Sequence, residues 1–118
     1  MPKTILLVDD DLNILDTAKD ILEDAGYRVE TVGSGAAAIQ KLKSSPADVG
    51  IFDFNLPDTK GVDLAIEAKR LRPQMVIILL TGEENVDLGL AQNSINSLLI
   101  KPVSPAELIR VIQAIVER

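Results

Sequence analysis

Asp48-Val-Gly-Ile-Phe-Asp53-Phe-Asn-Leu-Pro57-Asp-Thr-Lys-Gly61 joins a short apolar run, a carboxylate and a turn, in that order. Val49 to Phe52 is the kind of segment that becomes a parallel strand buried on both faces. Asn55, Pro57, Asp58 and Gly61 are turn formers, so the strand stops at Asp53. In an open α/β sheet, ligands and chemistry gather beyond the carboxyl ends of the strands. Asp53 therefore reads in two ways, as a turn starter or as a reactive group.

Working outward, the same unit recurs. Thr4 to Val8 is an apolar strand ending in Asp9-Asp10-Asp11. A helix follows, with Ile14, Ala18, Ile21/Leu22 and Ala25 at helical spacing and Gly26 as its stop. Asp10 and Asp11 suit its N-terminus, where carboxylates meet free N–H groups. Arg28 to Val32 is a short strand with partial alternation, expected near a sheet edge. Gly33-Ser-Gly35 precedes a second helix carrying Ala37, Ala38, Ile39 and Leu42, which Ser44-Ser-Pro46 ends.

Beyond the opening stretch, a third helix is expected from about Gly61 to Leu71, with Pro73 past its end. Val76 to Leu80 is the most apolar strand and stops at Thr81-Gly82. A fourth helix is expected within Glu84 to Asn93, but Gly89 and the crowding of Asn and Ser weaken it. Leu98 to Ile100 is a fifth strand, ending at Lys101-Pro102. Ser104-Pro-Ala-Glu107 then opens a last helix, with Ser at the cap, Pro in the first turn and Glu three residues on. Its apolar face is Leu108, Ile112 and Ile115, widened by Ile109, Val111 and Val116. Five strands alternating with five helices mean a parallel sheet covered on both faces.

The composition narrows the chemistry. At 118 residues the chain makes one domain. Its 47% of apolar residues include no Trp, one Tyr and two Phe, so the core is aliphatic. A net charge of −6 and the lack of a basic patch argue against direct nucleic-acid binding. With no cysteine or histidine, the chain has no disulfide, no Cys/His zinc site and no His or Cys catalysis of its own. The start Met1-Pro-Lys-Thr4 is no signal peptide, and no apolar run reaches the ~18 residues of a membrane span. A soluble cytoplasmic protein is expected.

Asp9, Asp10, Asp53, Thr81 and Lys101 all fall at or just past predicted strand ends. In a parallel sheet those ends share one edge, so distant residues converge. Carboxylates about 4 Å apart repel by roughly 4 kcal/mol per pair at an effective dielectric near 20. Three together call for a cation or a protonated member. Hard oxygen ligands without His or Cys suit Mg²⁺. With Lys101 as a fixed charge and Thr81 as a hydroxyl donor, the set can cradle a phosphoryl group.

On these residues, with Asn55-Leu-Pro57, Gly61 and Lys101-Pro102, the whole chain resembles the receiver domain of response regulators (CheY-like). The resemblance implies a flavodoxin-like, doubly wound sheet in the order 2-1-3-4-5, an order for which this family is itself a standard example. It implies that Asp53 accepts a phosphoryl group from a histidine kinase or a histidine phosphotransfer protein. Asp10 would ligate Mg²⁺ directly and Asp9 through water, with Asp53 and the Asn55 backbone carbonyl completing the set. Thr81 and Lys101 would bind phosphoryl oxygens, with Thr81 shifting inward on phosphorylation. Asn55 and Glu83 match positions that tune the lifetime of the acyl phosphate. The Lys101–Pro102 bond is expected to be cis. Such a domain catalyses only its own phosphorylation and dephosphorylation, and is not an enzyme toward outside substrates.

The chain departs from the family pattern in one region. Many receivers carry an aromatic residue three positions before the lysine, where Leu98 stands here. The interval from Thr81 to Lys101 looks about two residues short, and Gly82 replaces the common Ala. The usual output face, formed by the fourth helix, fifth strand and fifth helix, is thus the altered one, and it remains the expected surface for any homodimer. The rivals are a pseudo-receiver that binds without using Asp53, an aspartyl phosphatase, and a flavin carrier. A phosphatase needs a second acid where Asn55 stands. The acidic turn after strand one would repel a flavin phosphate. The chain is expected to be one receiver domain over residues 1–118, standing alone or as a piece of a longer protein.

Overall fold

The computed structural model describes residues 3–116; Met1, Pro2, Glu117 and Arg118 lie outside the described residues. Five strands form one parallel sheet: β1 (Thr4–Val8), β2 (Arg28–Val32), β3 (Val49–Asp53), β4 (Val76–Thr81) and β5 (Ser97–Ile100). Their order is β2-β1-β3-β4-β5. Four α-helices cover it: α1 (Leu12–Asp24), α2 (Gly35–Ser44), α3 (Gly61–Leu71) and α4 (Pro105–Val116). The fifth helical element is a 3₁₀ turn, Gly89–Ser94.

The unbroken apolar strands have a simple cause. Ile5, Leu7, Val49, Ile51, Ile78 and Leu80 pack on one side of the sheet, together with Leu15 and Leu22 of α1 and Leu108 and Ile112 of α4. Leu6, Val8, Phe52, Ile77 and Leu79 pack on the other, with Ala38 and Leu42 of α2 and Leu64, Ala65 and Ala68 of α3. Successive side chains of a strand point to opposite faces, so a strand covered twice must be apolar throughout. β2 lies at an edge and shows mixed burial, as its partial alternation predicts.

The helix ends follow local chemistry. Asp11 caps α1, its Oδ1 accepting the Asn13 N–H at 3.0 Å. Ser34 caps α2 by accepting the Ala37 N–H at 3.1 Å. Ser104 Oγ accepts the Glu107 N–H at 3.1 Å at the start of α4. Ile109, Val111 and Val116 pack against the core, so the broad face of α4 serves packing.

One expectation is corrected and one is made specific. The buried stripe of α1 is Leu15 and Leu22 with Ala18 beside them, whereas Ile14 is 41% exposed and Ala25 is exposed. Ile14 and Leu15 lie only one position apart, and the end of the helix facing the sheet selects Leu15. The weak fourth helix expected within Glu84 to Asn93 is the short 3₁₀ turn Gly89–Ser94, and residues 83–88 are not helical. Gly89 has φ +54° and donates its N–H to Asp87 Oδ1 at 2.9 Å. That turn breaks the right-handed backbone before a helix can propagate, leaving only the 3₁₀ turn.

Candidate functional site

Strand parity builds the site. Asp9 continues the row Ile5–Leu7, and Asp53 continues Val49–Ile51; both rows face α1 and α4. Lys101 follows Leu99 in that row. Thr81 instead continues Ile77–Leu79, on the α3 side. Register brings the strand ends level, with Val8 beside Phe52, Asp53 beside Leu80 and Thr81 beside Ile100.

The result is a compact cluster of charge. Carboxylate oxygens of Asp9, Asp10 and Asp53 lie within 4.8 Å of one another. Lys101 Nζ is 2.6 Å from Asp53 Oδ1 and 3.8 Å from Asp9 Oδ2. Asp9 and Asp53 are buried while Asp10 is exposed. Asp9 Oδ1 also accepts the Asp11 N–H at 2.9 Å, which orients its second oxygen toward Lys101.

Burial pushes the Asp9 carboxyl above its ordinary value, and the neighbouring Asp53 and Asp10 charges add to that; the Asp11 N–H and Lys101 oppose it. Burial alone would lower the Lys101 ammonium. The hydrogen bond and attraction to Asp53, with Asp9 and Asp10 behind it, outweigh burial and hold it above the usual lysine value. Three carboxylates against one ammonium leave two net negative charges, the complement of one divalent cation. The donors are all hard oxygens, as Mg²⁺ prefers.

The remaining candidates surround this core. Thr81 is buried, and its Oγ1 accepts the Glu83 N–H at 3.1 Å, closing the turn through Gly82. Glu83 itself is exposed on that turn. Asn55 is also exposed, and its Oδ1 accepts from Lys60 Nζ at 2.7 Å. Leu98 pairs with Leu79 and packs on the α3 side, away from the acid row. The Lys101–Pro102 bond is cis.

Sequence reasoning missed two residues near this rim. Lys60 fixes the Asn55 amide, because an ammonium only donates and must face the amide oxygen. Asp58, read as a turn former, binds the start of α2 through both carboxylate oxygens. Lys60 was legible only as a cation five residues after Asn55, a separation that a tight turn closes. An apolar groove between α1 and the loop after β5, lined by Ile14, Ala18, Val103 and Leu108, opens at Asp9 and Lys101. Leu12, at the start of α1, is 72% exposed.

Comparison with known proteins agrees with this architecture. Residues 5–113 match the family model of the response regulator receiver domain. The chain therefore belongs to that family, the receiver domains of two-component systems. It is 32% identical to the transcriptional regulatory protein CreB of Escherichia coli (strain K12), covering 98% of this chain and 52% of that protein. It is 34% identical to the CpxR homolog of Haemophilus influenzae, covering 97% and 50%. Among solved structures, a CheY-like receiver domain from Methanospirillum hungatei JF-1 superposes with a TM-score of 0.93 at 34% identity, covering 99% and 95%. The response regulator TrrA from Thermotoga maritima, in complex with Mg²⁺ and BeF, gives 0.88 at 29%, covering 97% and 99%. The chain spans between about a quarter and about half the length of the curated relatives it matches.

Proposed function

We propose that this receiver domain takes a phosphoryl group onto Asp53 from a phosphohistidine on a histidine kinase or phosphotransfer protein. The observation that carries the reading is the cluster itself, three carboxylates and one ammonium with two negative charges left over. An Asp53 carboxylate oxygen attacks phosphorus as the bond to the histidine nitrogen breaks. Lys101, already 2.6 Å from Asp53, transfers its hydrogen bonds to the incoming phosphoryl oxygens. The Thr81 hydroxyl leaves its turn to bind another, while Asn55 and Glu83 govern the approach of hydrolytic water. Asp10, Asp53 and the Asn55 carbonyl are the residues to hold Mg²⁺ directly, with Asp9 reaching it through water. Once bound, Mg²⁺ supplies positive charge to the phosphoryl oxygens, which lowers the barrier to transfer.

The partner surface follows from what borders the site. Leu12 and Ile14 are exposed apolar residues of α1, and Ile14 lines the apolar groove that also reaches Asp9 and Lys101. A donor helix carrying the histidine docks there. The expected compartment is the cytoplasm, and no described helix is long and apolar enough to cross a membrane. TrrA, solved with Mg²⁺ and BeF, is a structural relative that takes such a ligand, which supports the reading by analogy. The output is a partner or domain outside this stretch.

The test is a covalent mass measurement with a small phosphodonor and Mg²⁺. One phosphoryl mass should appear on the parent chain and none on Asp53→Asn. A parent that binds Mg²⁺ but never gains mass would instead make it a pseudo-receiver, a binding module that leaves Asp53 unused.

A further inference from the structure

The connection between β3 and α3 carries Asn55 at one end and a clamp at its tip. Asp58 Oδ1 accepts the Gly35 N–H at 2.8 Å, and Oδ2 accepts the Ala36 N–H at 2.8 Å. The two partners lie 23 and 22 residues earlier in the chain, in the first turn of α2. A helix leaves its first four N–H groups without internal partners, and its positive end favours a carboxylate. Ser34 already takes the Ala37 N–H, so Asp58 supplies acceptors that the local cap does not. The approach is close: a Cβ at position 35 would lie 2.4 Å from Thr59 Cγ2, so a larger residue there would force the Thr59 side chain to shift.

The loop itself is closed. The Leu56 N–H donates to the Thr59 carbonyl at 3.1 Å, the Gly61 N–H to the Phe54 carbonyl at 2.7 Å, and Asn55 and Lys60 pair as an antiparallel bridge. Fixing the tip against α2 therefore fixes the base, which adjoins Asp53. We propose that Asp58 is a positioning residue, holding the Asn55 main chain so that its carbonyl stands ready to complete the cation site. This rests on reading the acid cluster as a Mg²⁺ site.

The test titrates Mg²⁺ alone into the parent, Asp58→Ala, Asp58→Asn and Asp63→Ala, following backbone NMR shifts. Urea stability and amide exchange at Gly35 and Ala36 are measured in parallel. Asp63→Ala removes the same charge from the start of α3 and leaves both hydrogen bonds from Asp58 to α2 in place. Asp58→Ala should weaken Mg²⁺ binding roughly tenfold, the lower end for residues that orient metal ligands. Asp58→Asn should lie between it and the parent, and Asp63→Ala should stay within about twofold of the parent. The inference is overturned if Asp58→Ala and Asp63→Ala bind alike, or if Asp58→Ala loses stability while its Mg²⁺ affinity holds. Should Asp58→Ala not fold, Asp58→Asn against Asp63→Ala makes the same comparison. A parent chain that binds no Mg²⁺ overturns the site reading itself and this inference with it.

Discussion

Asp9 shows how the site is set against the stability of the resting domain. Its charge is buried, close to Asp53, and offset only in part by Lys101 and the Asp11 N–H. A carboxyl whose value is raised on folding destabilises the fold when ionised, so a neutral isostere should relieve the strain. Asp9→Asn should raise the urea midpoint of the cation-free domain at pH 7, while weakening Mg²⁺ binding. Asp58 has the opposite sign. The hydrogen bonds from Gly35 and then Ala36 hold it below the usual carboxylate value. Its contribution is therefore complete above the ordinary carboxylate range and is lost as pH falls through its lowered folded value. The parent should be more stable than Asp58→Asn at pH 7, and the two urea midpoints should converge on acidification below the ordinary carboxylate range. The gathering of Asp9, Asp10, Asp53 and Lys101 was legible in sequence, because it follows from strand ends that point one way. The Asp58 clamp was not, since no local pattern ties residue 58 to a helix start 23 residues away.

Among the elements, those with a strong period and clear stops were the legible ones. β2 and α3 occupy the residues their turn signals marked, and the last helix starts where Ser104 and Pro105 placed it. The segment between β4 and β5 was legible only as weak, because Gly89, Asn93 and Ser94 oppose a helix without naming what replaces it. A left-handed glycine and an Asx turn determined the outcome. Leu90 there is 93% exposed, and only Ala91 of the 3₁₀ turn is buried. Few buried contacts mean cheap local opening. Residues 84–96 should exchange their amides fastest outside the chain ends. A phosphoryl mimic with Mg²⁺ should slow that exchange, because Thr81 pairs with Ile100 and any inward shift of the hydroxyl reaches β5 directly. Equal protection with and without the mimic would show that this segment does not answer to the phosphoryl group.

At the scale of the whole molecule, two apolar layers enclose a sheet whose rim gathers three carboxylates and one ammonium. Phe52 is fully buried in the layer under α2 and α3, so Phe52→Ala should cost about 3–5 kcal/mol in urea unfolding. Binding to the folded form alone stabilises by mass action, about 2.7 kcal/mol at a hundredfold excess over Kd. Millimolar Mg²⁺ should therefore raise the melting temperature, a chelator should reverse the rise, and Asp10→Asn should abolish it. The strand order has a further effect, on biosynthesis. β2, β1 and β3 are contiguous neighbours in space and are all translated before β4 and β5. A nascent chain can thus assemble three strands and two helices as a half-built unit, its Asp53 carboxylate already in place, while Lys101, which pairs with it, is still to be synthesised.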